Sequence, residues 1–108
     1  MDYWTGTVYT TNRRVWEHDE EFKDYLTKIR AIGIDMETAT IFTTGFANEI
    51  PAGALLLVSD QPMIPEGVKT AESDVKVSAT FVENHINIGI DSLKQIMNHG
   101  QTVKHLKF

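Results

Sequence analysis

Residues 31–48 read AIGIDMETATIFTTGFAN, and the interpretation of the fold rests on this stretch. Residues 31–34 are apolar and predict a short strand, which runs directly into Asp35, Met36 and Glu37. The next ten residues carry no charge, so residues 36–48 predict a helix that is buried on most sides. A strand followed at once by a buried helix is the repeating unit of α/β proteins.

Further strands and helices are predicted on both sides of this unit. Residues 3–11, YWTGTVYTT, are rich in aromatic and β-branched residues and predict a strand with an aromatic contribution to the core. Residues 19–30 have apolar side chains at helical spacing, acids first and bases last, and predict an amphipathic helix. The uninterrupted apolar run ALLLV at residues 54–58 is typical of a strand that is covered on both faces.

The second half of the chain predicts a long loop and a long helix. Residues 61–73 contain Pro and Gly without periodicity, whereas residues 74–99 repeat apolar side chains every three or four positions. Ser73 is the expected cap of this helix and Gly100 its expected stop. The resulting order predicts a single α/β domain with three layers, α/β/α, in which helices flank a short mixed sheet. Three strands make a narrow sheet, so we expect a partner or a further segment to complete it.

Composition excludes several classes of function. The 108 residues carry a formal net charge of −5 and include no cysteine, which removes disulfides and thiolate metal sites. There is no basic block that would track a nucleic acid polymer, and no run of about 20 apolar residues that would span a membrane. The start of the chain does not have the pattern of a signal peptide, so a cytoplasmic location is expected.

Asp60 is the first candidate for chemistry, because ligands of α/β sheets bind at the carboxyl ends of the strands. A carboxyl group at the end of a dry strand can have its protonated form favoured and can then act as a general acid. The alternative is that Asp60 only caps the following turn through backbone N–H groups.

Glu37 is the second candidate, because it is a lone carboxylate at the start of an uncharged helix. The two hydroxyls of a ribose would satisfy both of its oxygens. The alternative is an ordinary first-turn acid that is favoured by the helix dipole, with Asp35 as the N-cap. No histidine has the HExxH spacing of a metal site, and neither a metal nor a cofactor is expected.

Two segments, GIDMETATI at residues 33–41 and LLLVSDQP at residues 55–62, together resemble the nucleoside phosphorylase and nucleosidase superfamily. With TGTVYTTNRRVW at residues 5–16 and HINIGIDSL at residues 85–93, they are most similar to the AMP nucleosidases, which hydrolyse AMP to adenine and ribose 5-phosphate. The resemblance implies a partial nucleoside phosphorylase-like fold. Residues 1–108 would then be the C-terminal part of the catalytic domain, and the phosphate-binding residues would lie in an N-terminal half that is absent.

The resemblance also implies a role for individual residues. Asp60 falls at the position of the general acid that protonates N7 of the departing purine, and Glu37 at that of the glutamate that holds the ribose hydroxyls. The other implied substrate-binding residues are Met36 against the sugar, Val15 and Trp16 around the base, and Ser59 beside Asp60. Some phosphorylases have an arginine shortly after their Ser-Asp, which residues 61–66 do not contain.

Two alternatives to AMP hydrolysis stay open. One is a purine nucleoside phosphorylase or a methylthioadenosine-type nucleosidase. The other is a non-catalytic structural or assembly module, because without the phosphate-binding half the isolated chain is expected to be inactive. The superfamily implies a homo-oligomer and, as the binding partner, AMP or another purine nucleotide or nucleoside.

Overall fold

The structure is a computed structural model that describes residues 3–99, which form two strands and three helices. Strand β1 is Thr7–Thr10, helix α1 is Glu20–Lys28, strand β2 is Ala31–Asp35, helix α2 is Thr38–Ala47 and helix α3 is Ala71–His99. The strands pair in parallel, with Thr10 opposite Asp35. The α/β prediction is confirmed, but the described sheet is a parallel pair and not the mixed, three-stranded sheet that was expected.

The β1–α1–β2 unit contains the core. Leu26 of α1 is 4% exposed and Trp16 is 7% exposed. The Phe22 ring lies edge-on to both Tyr9, at 5.5 Å between centroids, and Trp16, at 5.8 Å. Asp19, which was predicted as the first residue of the helix, is the N-cap of α1 and accepts a hydrogen bond from the Phe22 N–H at 3.0 Å.

The strand predicted at residues 54–58 is not formed. Leu55 and Leu56 are about half exposed and Val58 is 65% exposed, in a segment without strand pairing. A strand needs the hydrogen bonds of a neighbouring strand, and residues 3–99 offer no third strand to this segment. Instead, the segment is attached to α3, because Nε2 of His85 lies 3.1 Å from the Leu55 carbonyl oxygen.

Two predictions of burial are wrong for the same reason. In α2 only Thr38 and Gly45 are buried, although a helix buried on most sides was expected. Tyr3 and Trp4 were expected in the core with the first strand, but they lie outside β1 and are 77% and 90% exposed. Too little of the described chain stands opposite these residues to cover them.

Helix α3 begins three residues earlier than predicted. Thr70 and Ser73 form a reciprocal capping box, in which each backbone N–H donates to the other hydroxyl, at 3.0 and 3.1 Å. The expected stop at Gly100 lies outside the described residues. No residue of α3 is buried, and none of the helices in residues 3–99 is long and apolar enough to cross a membrane.

Candidate functional site

The site is built at the edge of the sheet where both strands end. Because β1 and β2 are parallel, their carboxyl ends meet, and the residues that follow each strand lie side by side. The Thr11 N–H continues the pairing beyond β1 by donating to the Asp35 carbonyl at 2.8 Å. Residues 11–16 and Met36–Glu37 therefore leave the sheet at one edge.

A hydrogen-bond network fixes this edge to helix α2. Thr10 Oγ1 donates to Asp35 Oδ1 at 2.8 Å, and the Thr38 N–H donates to Asp35 Oδ2 at 2.9 Å. The Thr38 hydroxyl also donates to Asp35 Oδ2. Thr10 Oγ1 in turn accepts the Ala39 N–H at 2.9 Å. One carboxylate thus joins the ends of both strands to the start of α2.

The surroundings of Asp35 keep it ionised. Desolvation acts to raise its pKa, but the hydrogen bonds from the Thr38 and Thr10 hydroxyls and from backbone N–H groups outweigh this and lower the pKa from its ordinary value. The N-cap position of α2 is Glu37 and not Asp35 as predicted, but the Asp35 side chain still caps the helix by accepting the Thr38 N–H. The contribution of Thr10 was missed, because its contact with Asp35 depends on the pairing of β1 with β2.

Met36 and Glu37 follow the network and face outward. Glu37 Oε2 accepts the Met36 N–H at 3.3 Å, and Glu37 makes no capping bond to α2. The Glu37 side chain is exposed and Met36 is 43% exposed. A carboxylate held only by one long hydrogen bond to its neighbour keeps its remaining acceptor positions for another donor.

Val15 and Trp16, in the segment that precedes α1, differ in exposure. Trp16 is buried against Phe22 and its ring belongs to the core. Val15 is 72% exposed. Nearby, Arg13 lies over the Phe22 ring at 5.0 Å and forms an ion pair with Asp19. The hydrogen bond from Arg13, together with that from the Phe22 N–H, lowers the pKa of Asp19.

Ser59 and Asp60 lie at the start of the loop that leads to α3. The Ser59 hydroxyl donates to Asp60 Oδ1 at 2.7 Å, and both residues are half-buried. The loop closes where the Gln61 N–H donates to the Gly67 carbonyl at 2.9 Å, which returns the chain towards Asp60. One Asp60 oxygen is thus bonded to Ser59, and the position of the residue is set by local bonds.

Lys69 is the cation of the loop between Asp60 and α3. Its Nζ lies 2.8 Å from Asp74 Oδ1 at the start of α3. The hydrogen bond to Asp74 raises the pKa of Lys69, and the charges of Asp74 and Asp60 add to the effect. Lys69 is consequently charged, paired with Asp74 and within the field of Asp60.

The structure thus groups the predicted residues into two sets. Met36 and Glu37 follow β2, and the segment of Val15 and Trp16 follows β1, at the edge where both strands end. Ser59 and Asp60 stand in a segment that does not pair with the sheet. Within residues 3–99 no three His, Asp or Glu side chains are grouped as metal ligands.

Comparison with known proteins shows the superfamily to which this chain belongs. The sequence model of the phosphorylase superfamily matches residues 1–94, which include both sets of site residues, and the chain belongs to that superfamily. The AMP nucleosidases of Escherichia coli K12 and of Escherichia coli O157:H7 are each 35% identical to it over 97 residues, or 89% of this chain. The chain spans about a fifth of the length of these curated relatives, 20% in each case. No solved structure matches the chain significantly.

Proposed function

We propose that this chain carries the base- and ribose-binding part of an N-glycosidase that hydrolyses AMP to adenine and ribose 5-phosphate. The observation that supports this most strongly is the 35% identity over 97 residues to the AMP nucleosidases, within a superfamily match that includes Glu37 and Asp60. In a superfamily with several chemistries, AMP hydrolysis is the activity that these relatives' names state.

The proposed reaction breaks the bond between C1′ of the ribose and N9 of the purine. Negative charge builds on the leaving base and positive charge on the sugar, so a proton is needed at the base and an anion near the sugar. Asp60 donates its proton to purine N7 while the bond electrons pass to the base. Water adds its oxygen to C1′, and the proton that it loses restores Asp60.

The other residues hold the substrate in this proposal. Glu37 accepts hydrogen bonds from the 2′ and 3′ hydroxyls, and Met36 packs against the sugar. Val15, which is exposed, contacts the base, while Trp16 holds the segment in place from the core. Ser59 orients the Asp60 carboxyl through its 2.7 Å hydrogen bond, which leaves the second oxygen for the proton transfer.

The proposal also includes a completed domain. Parallel strands are normally buried on both faces, and a sheet of two strands is marginal alone. We infer that residues 54–58 become a strand, and that the three-layer α/β/α arrangement forms, when the remainder of the superfamily domain is present. Residues 1–108 are its C-terminal part, and the other part holds the phosphate. The proposed location is cytoplasmic.

A substrate panel tests the activity. The segment of Escherichia coli AMP nucleosidase that matches this chain is exchanged for residues 1–108, and adenine release is measured with AMP, adenosine and inosine, with and without phosphate. Hydrolysis of AMP without any need for phosphate is expected. Phosphate-dependent cleavage of the nucleosides would instead assign a phosphorylase, and cleavage of methylthioadenosine in preference to AMP would assign that nucleosidase.

A non-catalytic assembly module is the second candidate, since Trp16 and Leu26 are the only apolar side chains buried in the described residues. The purified chain alone, incubated with AMP, distinguishes the two roles of the isolated molecule. We expect no adenine release, because positioning by the rest of the domain supplies much of the rate. Release of adenine by the isolated chain would contradict both the role as a non-catalytic module and the need for the rest of the domain.

A further inference from the structure

The β1–α1 loop, residues 11–19, is fixed at both of its ends by hydrogen bonds. At the first end the Thr11 N–H donates to the Asp35 carbonyl at 2.8 Å, and the hydroxyl of buried Thr11 accepts the Arg13 N–H at 3.0 Å. At the second end the Asp19 N–H donates to the Trp16 carbonyl at 3.0 Å. The middle of the loop is exposed, so its position depends on interactions that cross the loop.

Arg13 makes the interaction that crosses the loop. Its guanidinium forms an ion pair with Asp19 Oδ2, six residues further along the chain, and lies over the Phe22 ring at 5.0 Å. Asp19 Oδ1 at the same time accepts the Phe22 N–H at 3.0 Å and caps α1. Because one carboxylate makes both bonds, Arg13 ties the loop to the start of a helix.

The effect of this ion pair is local. The Arg13 and Asp19 side chains are 47% and 33% exposed, and ion pairs near the surface contribute little to the free energy of unfolding. The hydrogen bond from Arg13 is nevertheless the largest of the causes that lower the pKa of Asp19, so the pair is charged at neutral pH. Its main consequence is to limit where the residues between its two partners can lie.

Val15 is the apolar side chain that this restriction presents to a ligand. It is 72% exposed, whereas the next residue, Trp16, is buried with its ring 5.8 Å from that of Phe22. With Arg13 bound on one side and Trp16 anchored on the other, the Val15 backbone is held near the edge where both strands end. A contact that is already ordered binds its ligand more tightly than one that must be ordered on binding.

We propose that Arg13 is a positioning residue for recognition of the purine base, because its ion pair with Asp19 holds the β1–α1 loop so that Val15 contacts the base. This inference rests on the proposed function and deepens it. Arg13 acts through the loop and does not touch the substrate, since Asp19 and the Phe22 ring already occupy its guanidinium.

Steady-state kinetics of the exchanged AMP nucleosidase test this role. Arg13→Met should raise the KM for AMP roughly tenfold, the worth of a small apolar contact. It should change kcat by less than about twofold, because the base contact is made equally before and in the transition state. A mere loss of folded enzyme would instead lower the apparent kcat at an unchanged KM. Arg14→Met removes the same charge from an exposed position of the same loop and should change neither constant, and Arg13→Lys should restore most of the affinity.

A double-mutant cycle tests whether Arg13 acts through Val15. Val15→Ala should itself raise the KM for AMP. Adding Arg13→Met to Val15→Ala should then raise the KM by less than about twofold more, because both substitutions remove the same contact. Two effects that multiply in full would mean that Arg13 reaches the substrate by another route, which overturns the proposal.

Hydrogen exchange of the isolated full chain tests the loop without any need for catalysis. The N–H groups of residues 13 and 19 are hydrogen-bonded within the loop and should exchange about two- to fivefold faster in Arg13→Met, as the loss of an exposed ion pair predicts. Asp19→Asn, which keeps a good N-cap, should have the same effect on residue 13 and leave exchange within α1 unchanged. An inactive exchanged enzyme would overturn the proposed function and with it the role in base recognition. An active enzyme in which neither the loop amides nor the KM respond to Arg13→Met would overturn only the role of Arg13.

Discussion

At the residue scale, Asp35 is the side chain that joins the elements of the site. Its two oxygens accept from Thr10, at the end of β1, and from Thr38, at the start of α2. Met36 and Glu37, two of the proposed substrate-binding residues, follow it directly in sequence, so their position depends on this carboxylate. Asp35 thereby acts through other residues and has no contact with the substrate in the proposed reaction.

Asp35→Asn should lower the free energy of unfolding at pH 7 by about 1 kcal/mol, the usual net worth of a charge-assisted hydrogen bond above a neutral one. Because the pKa of Asp35 is lowered by folding, its contribution is present above the ordinary aspartate value of about 3.9 and is lost as the pH falls through the lower folded-state value. Urea unfolding at a series of pH values measures this.

The matched control for this charge is Asp24→Asn on the exposed side of α1. The stability of Asp24→Asn should follow the pH dependence of the wild-type chain, while that of Asp35→Asn should vary less between about pH 5 and pH 2. If both variants retained the wild-type pH dependence, Asp35 would not be the group that titrates.

Asp60→Asn tests the proposed proton donor. In the exchanged AMP nucleosidase, adenine release should fall by about 10² to 10⁴-fold, the usual contribution of a general acid, with little change in the Tm. Glu66→Gln removes a carboxylate from the same loop at an exposed position and should leave the rate unchanged. Unchanged turnover in Asp60→Asn would remove the residue from its proposed role.

At the element scale, the helices could be predicted from sequence because their signals are local. Asp19 caps α1 and the acids and bases of α1 occupy the expected ends. Residues 54–58 show the opposite case. Their apolar composition predicts a strand, but a strand forms only with a hydrogen-bonded neighbour, and residues 3–99 offer none to this segment.

The candidate site shows the same difference between local signals, which the sequence carries, and long-range contacts, which it does not. Asp60 and Glu37 could be singled out from their immediate sequence and from the resemblance to a family. The Thr10 contact with Asp35 spans 25 residues and depends on the register of β1 with β2. Such a contact follows from the pairing of two strands, which the sequence of neither strand specifies alone.

Two glycines in helices give opposite expectations. A Cβ on Gly45 would lie 2.8 Å from the Ile50 carbonyl oxygen and 3.2 Å from Ala52 Cβ, where the chain turns back after α2. Gly45→Ala should therefore destabilise the protein by about 1 to 3 kcal/mol, since the backbone must shift and the gain in helix propensity is smaller than this cost.

Gly89 in α3 is the matched control, because nothing lies within 4 Å of an added Cβ there. Gly89→Ala should stabilise the protein by about 1 kcal/mol through helix propensity alone. Thermal unfolding followed by circular dichroism compares the two variants. A stabilised Gly45→Ala variant would show that the Ile50 backbone yields easily and that the close approach after α2 is not a constraint.

At the scale of the whole molecule, the chain is more extended than its length requires. Its radius of gyration is 16.1 Å, and a compact domain of 108 residues is expected to have about 13 Å. Large exposed apolar side chains lie on α3, on residues 54–58 and on α2, which are parts that the remainder of the domain would cover in the proposed completion.

This exposure predicts how the chain unfolds. The slope of the unfolding free energy against denaturant, the m-value, scales with the surface exposed on unfolding. Given the 9270 Å² that the folded chain exposes, unfolding should expose about seven-tenths of the surface that a compact protein of equal mass does, and the m-value should be reduced in proportion.

Urea unfolding of the isolated chain, followed at several chain concentrations, measures this slope. A reduced m-value with a broad transition is expected, and joining the chain to the rest of a superfamily domain should raise the slope because residues 54–58 then gain a strand partner. A slope equal to that of a compact 108-residue domain would mean that the chain buries this surface by itself, and the need for completion would lose its physical basis.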